Sequence, residues 1–136
     1  MLKKVGAGVF ALSLFFMCAL LSPAQKNPPQ EKSERCADSA TQFEMNRCAE
    51  RKHQQVDAQL NMVYQQLMKE SDATEKTKLK AAQFAWIKFR DAHCAYVSAG
   101  DEGGSIYQMV LAFCLADATS SRVKQLQEIL RERSIR

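Results

Sequence analysis

The residues of this chain that are able to do chemistry are its thiols, its two imidazoles and a few carboxylates. Cysteines stand at 18, 36, 48, 94 and 114. Cys18 falls inside an apolar run near the N-terminus, so Cys36, Cys48, Cys94 and Cys114 are the ones a mature domain keeps. An even number in a small exported domain implies two disulfides. Four thiolates also suit zinc, but no C-x2-C pair occurs among them, which argues against that use. His53 and His93, with Asp57 one helical turn from His53, are residue types that ligate zinc or copper. The plainer reading makes them partly buried histidines, and no metal or other cofactor is expected. Catalysis has little to stand on. There is no G-x-S-x-G elbow, no H-E-x-x-H, and no free thiol once two bridges form. Asp101 and Glu102 are neighbouring carboxylates, but they lie in an open glycine-rich segment. General acid–base chemistry needs carboxyl groups held in environments that separate their pKa values. The chain reads as a non-catalytic protein.

The N-terminus says where those cysteines work. Lys3 and Lys4 precede an uncharged apolar run from Val5 to Leu21, and Ser22-Pro23-Ala24 follows. A basic start, an apolar middle and small residues before a cut predict a secretory signal peptide over 1–24. Its removal leaves 112 residues (136 less 24), one small domain. The run is shorter than the roughly 20 residues that span a bilayer, so no stable membrane insertion is expected after cleavage. A lipid anchor at Cys18 is not expected either, because Phe15, Phe16 and Met17 stand where small residues would. The predicted location is periplasmic or secreted, an oxidising setting in which disulfides persist. Loss of Lys3 and Lys4 lowers the formal charge from +4 by two. So small a charge gives no footprint for nucleic acid.

Three amphipathic helices must position everything else. Residues 25–35 are polar with Pro28-Pro29 and read as a flexible leader. Thr41 and Glu44 have the form of a capping box and predict a helix entering at Gln42. Ala49, His53, Val56, Leu60, Val63 and Leu67 then recur at three- and four-residue steps. Residues 71–74 break the pattern, and Thr74 is a candidate cap for the next helix. Its stripe reads Leu79, Ala82, Trp86, Phe89, His93 and Tyr96. Residues 98–105, with three glycines and two acids, read as a loop. A last stripe runs from Ile106 through Met109, Phe113, Ala116, Val123 and Leu126 to Leu130, with arginines near the end that suit the helix dipole. No segment alternates as a strand does.

Three helices on short connections give an all-α, small antiparallel three-helix bundle with an N-terminal extension, stapled by two disulfides. A turn near residue 73 sets Leu67 opposite Leu79, Leu60 opposite Trp86, Tyr64 opposite Gln83, Asp57 opposite Arg90, and His53 opposite His93. Asp57 and Arg90 form an ion pair in that register, and Trp86 is a core residue whose indole N–H seeks an acceptor. All four cysteines gather at one end of the bundle. The local pairings Cys36–Cys48 and Cys94–Cys114 are favoured, although the clustering leaves other connectivities open.

Several of these residues occur together in a known order. Cys36, Asn46-Arg47-Cys48, then Asp57, Leu60, Asn61 and Tyr64 are followed by the run Gln83, Trp86, Phe89-Arg90-Asp91 and Cys94. Gly103-Gly104-Ser105, Cys114, Thr119 and Arg122 complete the set. The D-x-x-L-N-x-x-Y and Q-x-x-W-x-x-F-R-D-x-x-C combination resembles the LprI-type lysozyme-inhibitor domain family of bacterial exported proteins. The resemblance covers about residues 36–130, within a helical domain read as 36–132. It implies a small disulfide-stapled helical domain and, for some members, inhibition of lysozyme. On that footing the expected partner is a protein, a lysozyme, and the expected state is a monomer. The alternative is an accessory envelope protein that binds another envelope component without inhibiting lysozyme. The expected contact residues are Asp101, Glu102 and Ser105 of the loop, because loops on rigid scaffolds carry recognition. Two acids there suit a basic partner. A second route would plug the acidic lysozyme cleft, for which Lys88, Arg51 and Ser105 qualify.

Overall fold

The computed structural model describes residues 36–135. The signal peptide and leader expected over 1–35 lie outside the described residues. Three long helices carry the fold: α1 (Gln42–Glu70), α2 (Ala73–Ser98) and α3 (Tyr107–Ser134). Single 3-10 turns at Cys36–Asp38 and Ala99–Asp101 complete it, and no strand occurs among the described residues. The all-α bundle read from the sequence is what the structure has.

Local chemistry sets the helix ends. Thr41 Oγ1 accepts from the Glu44 N–H at 3.2 Å while the Glu44 carboxylate accepts from the Thr41 N–H at 3.1 Å. This is the predicted capping box, and it starts α1 at Gln42 as expected. The second helix departs from expectation. Its cap is Asp72, not Thr74, and Glu75 closes a second capping box. Each cap of this kind stabilises a helix by about 1 kcal/mol. Only Ser71 and Asp72 separate α1 from α2. Two buried serines near the helix C-termini place their hydroxyls on carbonyls of the preceding turn. Ser71 donates to the Leu67 C=O at 2.7 Å and Ser98 to the Cys94 C=O at 2.9 Å.

The helices run up, down and up, so α1 and α3 are parallel and α2 is antiparallel to both. Gln42 at the start of α1 reaches Met109 at the start of α3. At the other end the Arg133 guanidinium donates to the Glu70 C=O. Backbone approach is closest between α1 and α3, with α2 laid mainly against α3. The α1–α2 register read from the sequence is present, and residue size accounts for the wider spacing of that pair. Ala49, Ala112 and Ala116 are buried where α1 meets α3 and let those backbones come close. Trp86 and Arg90 project from α2 and hold it farther off. Leu60, Leu67, Val123 and Leu126 form the apolar centre, with Tyr64, Leu79, Trp86 and Leu130 packed against it. Leu60 and Trp86 therefore meet in one core, as do Leu67 and Leu79.

Of the connectivities left open by the sequence, the local one is realised. Cys36 bonds Cys48 and Cys94 bonds Cys114, each with Cα atoms 5.5 Å apart. One bridge ties the N-terminal turn to α1. The other ties the end of α2 to the first turns of α3, so both sit at the same end of the bundle.

Candidate functional site

Three places on this scaffold hold residues singled out by their chemistry: a polar cluster between the helices, the loop at the stapled end, and the outward face of α2.

The polar cluster collects most of the sequence motif. Arg90, only 13% exposed, has Nη1 3.6 Å from Asp57 Oδ1 and 3.3 Å from Thr119 Oγ1. It also donates to Asp91 beside it at 2.9 Å. Thr119 is fully buried. One turn along, Arg122 of α3 donates to Oε1 of the buried Gln83 at 3.2 Å. The guanidinium carbons of Arg90 and Arg122 lie 5.2 and 5.8 Å from the centre of the Trp86 ring, within cation–π range. Burial lowers the Arg122 guanidinium below its ordinary value, which is high enough that it stays charged at neutral pH. Asn61 donates to Asp57 at 3.3 Å. The Asp57–Arg90 pair is thus present in the expected register, joined to a third helix through Thr119. Gln83 pairs with Arg122, while Tyr64 packs on the apolar centre. Trp86 is half-buried under two cations, and its indole N–H finds no acceptor among the described residues. This cluster joins three helices through Arg90, Thr119, Gln83 and Arg122.

Asp101, Glu102 and Ser105 sit on the connection at the stapled end. The backbone there is pinned. The Gly104 N–H donates to the Asp101 C=O at 2.8 Å, and Asn46 of α1 donates to the Ser105 C=O at 3.0 Å. Gly103 has φ +78°, a left-handed conformation that glycine takes without strain. Asp101 is half-buried, whereas Glu102 and Ser105 are exposed. Ser98, read as part of the loop, is the fully buried last residue of α2. The connection is short, held by a disulfide at its base, and offers one carboxylate and one hydroxyl to solvent. Beside it a shallow groove is lined by Phe43, Arg47, Arg51 and Gln108.

The outward face of α2 is the largest departure from expectation. Phe89, His93 and Tyr96 were read as a core stripe, yet all three are exposed, Phe89 at 63% and Tyr96 at 83%. The residues turned inward are Gln83, Trp86, Arg90, Cys94 and Ser98. Phe84 is 62% exposed, and Lys88 Nζ lies over its ring at 4.5 Å. Apart from Lys88, Asp91 and His93, every exposed residue between 81 and 97 is apolar or aromatic. The missed signal was Cys94. Its bridge to α3 fixes which side of α2 faces inward, and at 3.6 residues per turn Phe89 and Tyr96 then point about 140° and 160° away from it.

The two histidines have different surroundings. His93 stacks on Phe89 of its own helix, with ring centres 5.6 Å apart. His53 is half-buried, and its Nε2 is enclosed without a hydrogen-bond partner. Among the described residues no group of three or more His, Cys, Asp or Glu is disposed to hold a metal ion. No described helix is long and apolar enough to cross a membrane.

Comparison with known proteins agrees with this architecture. An uncharacterized protein of Rhizobium meliloti (strain 1021) is 32% identical over 133 residues, covering 88% of this chain and 92% of its own length. No solved structure matches significantly. The family model described as lysozyme inhibitor LprI matches residues 33–126, from just before the first disulfide to well into α3. With both disulfides, two helices and most of the third covered by that match, the chain belongs to the LprI lysozyme inhibitor family.

Proposed function

We propose that this protein is an exported, non-catalytic inhibitor that blocks a lysozyme by occupying its substrate cleft. The observation that carries the reading is the family match over residues 33–126, because it takes in both disulfides, all of α1 and α2, and most of α3. An inhibitor of this kind needs a rigid body with a projecting surface, and needs no cofactor. A short connection pinned by Asn46, Gly103 and the Cys94–Cys114 bridge suits that role. Glu102 and Ser105, with Asp101 behind them, form its contact edge. Arg51 and Lys88 are exposed cations that suit the acidic cleft of a lysozyme. The protein acts as a monomer in the periplasm or outside the cell after removal of residues 1–24. Two disulfides accord with an oxidising compartment.

The test is an inhibition titration with the exported, oxidised protein. It follows clearing of a peptidoglycan suspension by chicken-type, goose-type and invertebrate-type lysozymes. Saturating inhibition of one class, abolished in a reduced and alkylated sample, is the expected outcome. A folded sample that slows none of the three refutes the reading.

A further inference from the structure

α2 is built inside out. Its inward face carries Gln83, Arg90 and Ser98, while its solvent face carries Phe84, Phe89 and Tyr96. Scattered exposed hydrophobic residues are ordinary, but a contiguous apolar strip on one helix marks an interaction surface. The charge on this strip selects the occupant. Its carboxylate, Asp91, is engaged by Arg90 at 2.8 Å. Lys88 is exposed, has no carboxylate partner among the described residues, and stands over Phe84. The strip is therefore aromatic with an uncompensated cation near its middle, which complements an acidic, partly apolar concavity. A second copy is disfavoured, because two-fold pairing through this strip would bring the two Lys88 ammonium groups into the same desolvated interface. A glycan-cleaving cleft has the required chemistry. It is concave, and it carries two carboxyl groups, of which one is held neutral in apolar surroundings and the other stays ionised.

We propose that the solvent face of α2, centred on Phe84, Lys88 and Phe89, is the surface that closes on the target lysozyme's cleft, with the Lys88 ammonium set against the cleft's ionised carboxylate. This deepens the inhibitor reading and rests on it. The connection that bears Glu102 and Ser105 follows directly after the C-terminal end of α2. Aromatic residues near the centre of an interface carry most of its binding energy, and a desolvated cation–carboxylate contact adds to it.

The experiment compares the exported protein with Lys88→Glu, Lys88→Arg and Phe84→Ser/Phe89→Ser against the lysozyme class that the wild type inhibits. These side chains are exposed, so helicity and melting temperature should stay close to wild type. Lys88→Glu and the double serine variant should each raise the half-inhibitory concentration by about tenfold or more, and Lys88→Arg should keep most of the inhibition. Lys88→Met should weaken binding to the active lysozyme, but not to one whose ionised cleft carboxylate is changed to the corresponding amide. Equal inhibition by wild type and all variants overturns the assignment of this face while leaving the inhibitor reading intact. Absence of inhibition by the wild type overturns both. A dimer at micromolar concentration that Phe84→Ser/Phe89→Ser dissociates, with inhibition unchanged, gives the face to a second copy and overturns the proposal.

Discussion

Arg90→Met should be the most informative single substitution in the scaffold, because it keeps the length of the stem and removes the charge that joins three helices. Three contributions can be weighed. The Asp57 contact at 3.6 Å involves a carboxylate that is 43% exposed, so screening leaves it at about 0–1 kcal/mol. The cation–π contact with Trp86 is worth roughly 0.5–1 kcal/mol. The largest part comes from Thr119, fully buried, whose hydroxyl loses its guanidinium partner and costs about 1–3 kcal/mol when left unsatisfied. Together these predict a loss of about 1.5–5 kcal/mol. In a domain of this size that lowers the melting temperature by roughly 8–30 °C.

Urea unfolding followed by helicity measures the loss, and Thr119→Val supplies the control. Removing both partners costs less than stranding one, so Arg90→Met/Thr119→Val should be more stable than Arg90→Met alone, with a coupling of at least about 0.5 kcal/mol. A loss below about 1 kcal/mol for Arg90→Met, or strictly additive effects in the double variant, refutes the view that this cluster is the latch of the bundle.

Two further outcomes follow from the ends of the helices. Replacing Cys94 and Cys114 together by alanine opens a loop of 20 residues, and chain entropy predicts a loss of about 3 kcal/mol, measurable by denaturant unfolding under oxidising conditions. Glu75 is held below its ordinary value, first by its hydrogen bond to Arg133 and then by the Asp72 N–H. A carboxylate depressed in the folded state stabilises the fold above its unfolded pKa of about 4.3 and loses that contribution as pH falls through the folded value. Glu75→Gln should therefore flatten the acid side of the stability–pH profile below pH about 4.5, and an unchanged profile would contradict the assignment.

The sequence made most of the scaffold legible, and the reasons can be given residue by residue. Thr41 and Glu44 announced the start of α1 because a capping box is a local device that needs no tertiary partner. Leu60, Leu67, Val123 and Leu126 were legible because their helices do turn their apolar stripes inward. The register across residue 73 was legible at Asp57 and Arg90, where opposite charges meet. The face of α2 was not legible, because periodicity assumes that apolar residues go inside. Here the inner positions go to Gln83, Arg90 and Ser98, whose hydrogen bonds are completed by residues distant in sequence or by the helix's own backbone. Once such partners exist, burial of polar groups costs little. The Cys94–Cys114 bridge then fixes the rotation of the helix. The candidate site was half legible for the same reason: the loop was found from its glycines, and the aromatic strip was hidden by being counted as core.

That inversion bears on what the family motif measures. Of the run that carries the resemblance, Gln83, Trp86, Arg90 and Cys94 all turn inward, each engaged by another helix. Asp91 is outside but anchors Arg90. These residues specify a scaffold, and their presence says little about which enzyme the scaffold meets. Phe89 stands apart, because it lies in the same run yet is 63% exposed and stacks on His93 of its own helix. A buried phenylalanine in a small bundle stabilises by packing, whereas an exposed one adds little to the fold and gains its energy only when a partner covers it. Phe89→Ser thus separates scaffold from surface within a single motif. Melting should barely move while binding falls, the reverse of Arg90→Met, and a variant that unfolds without losing affinity for its target would return Phe89 to the core.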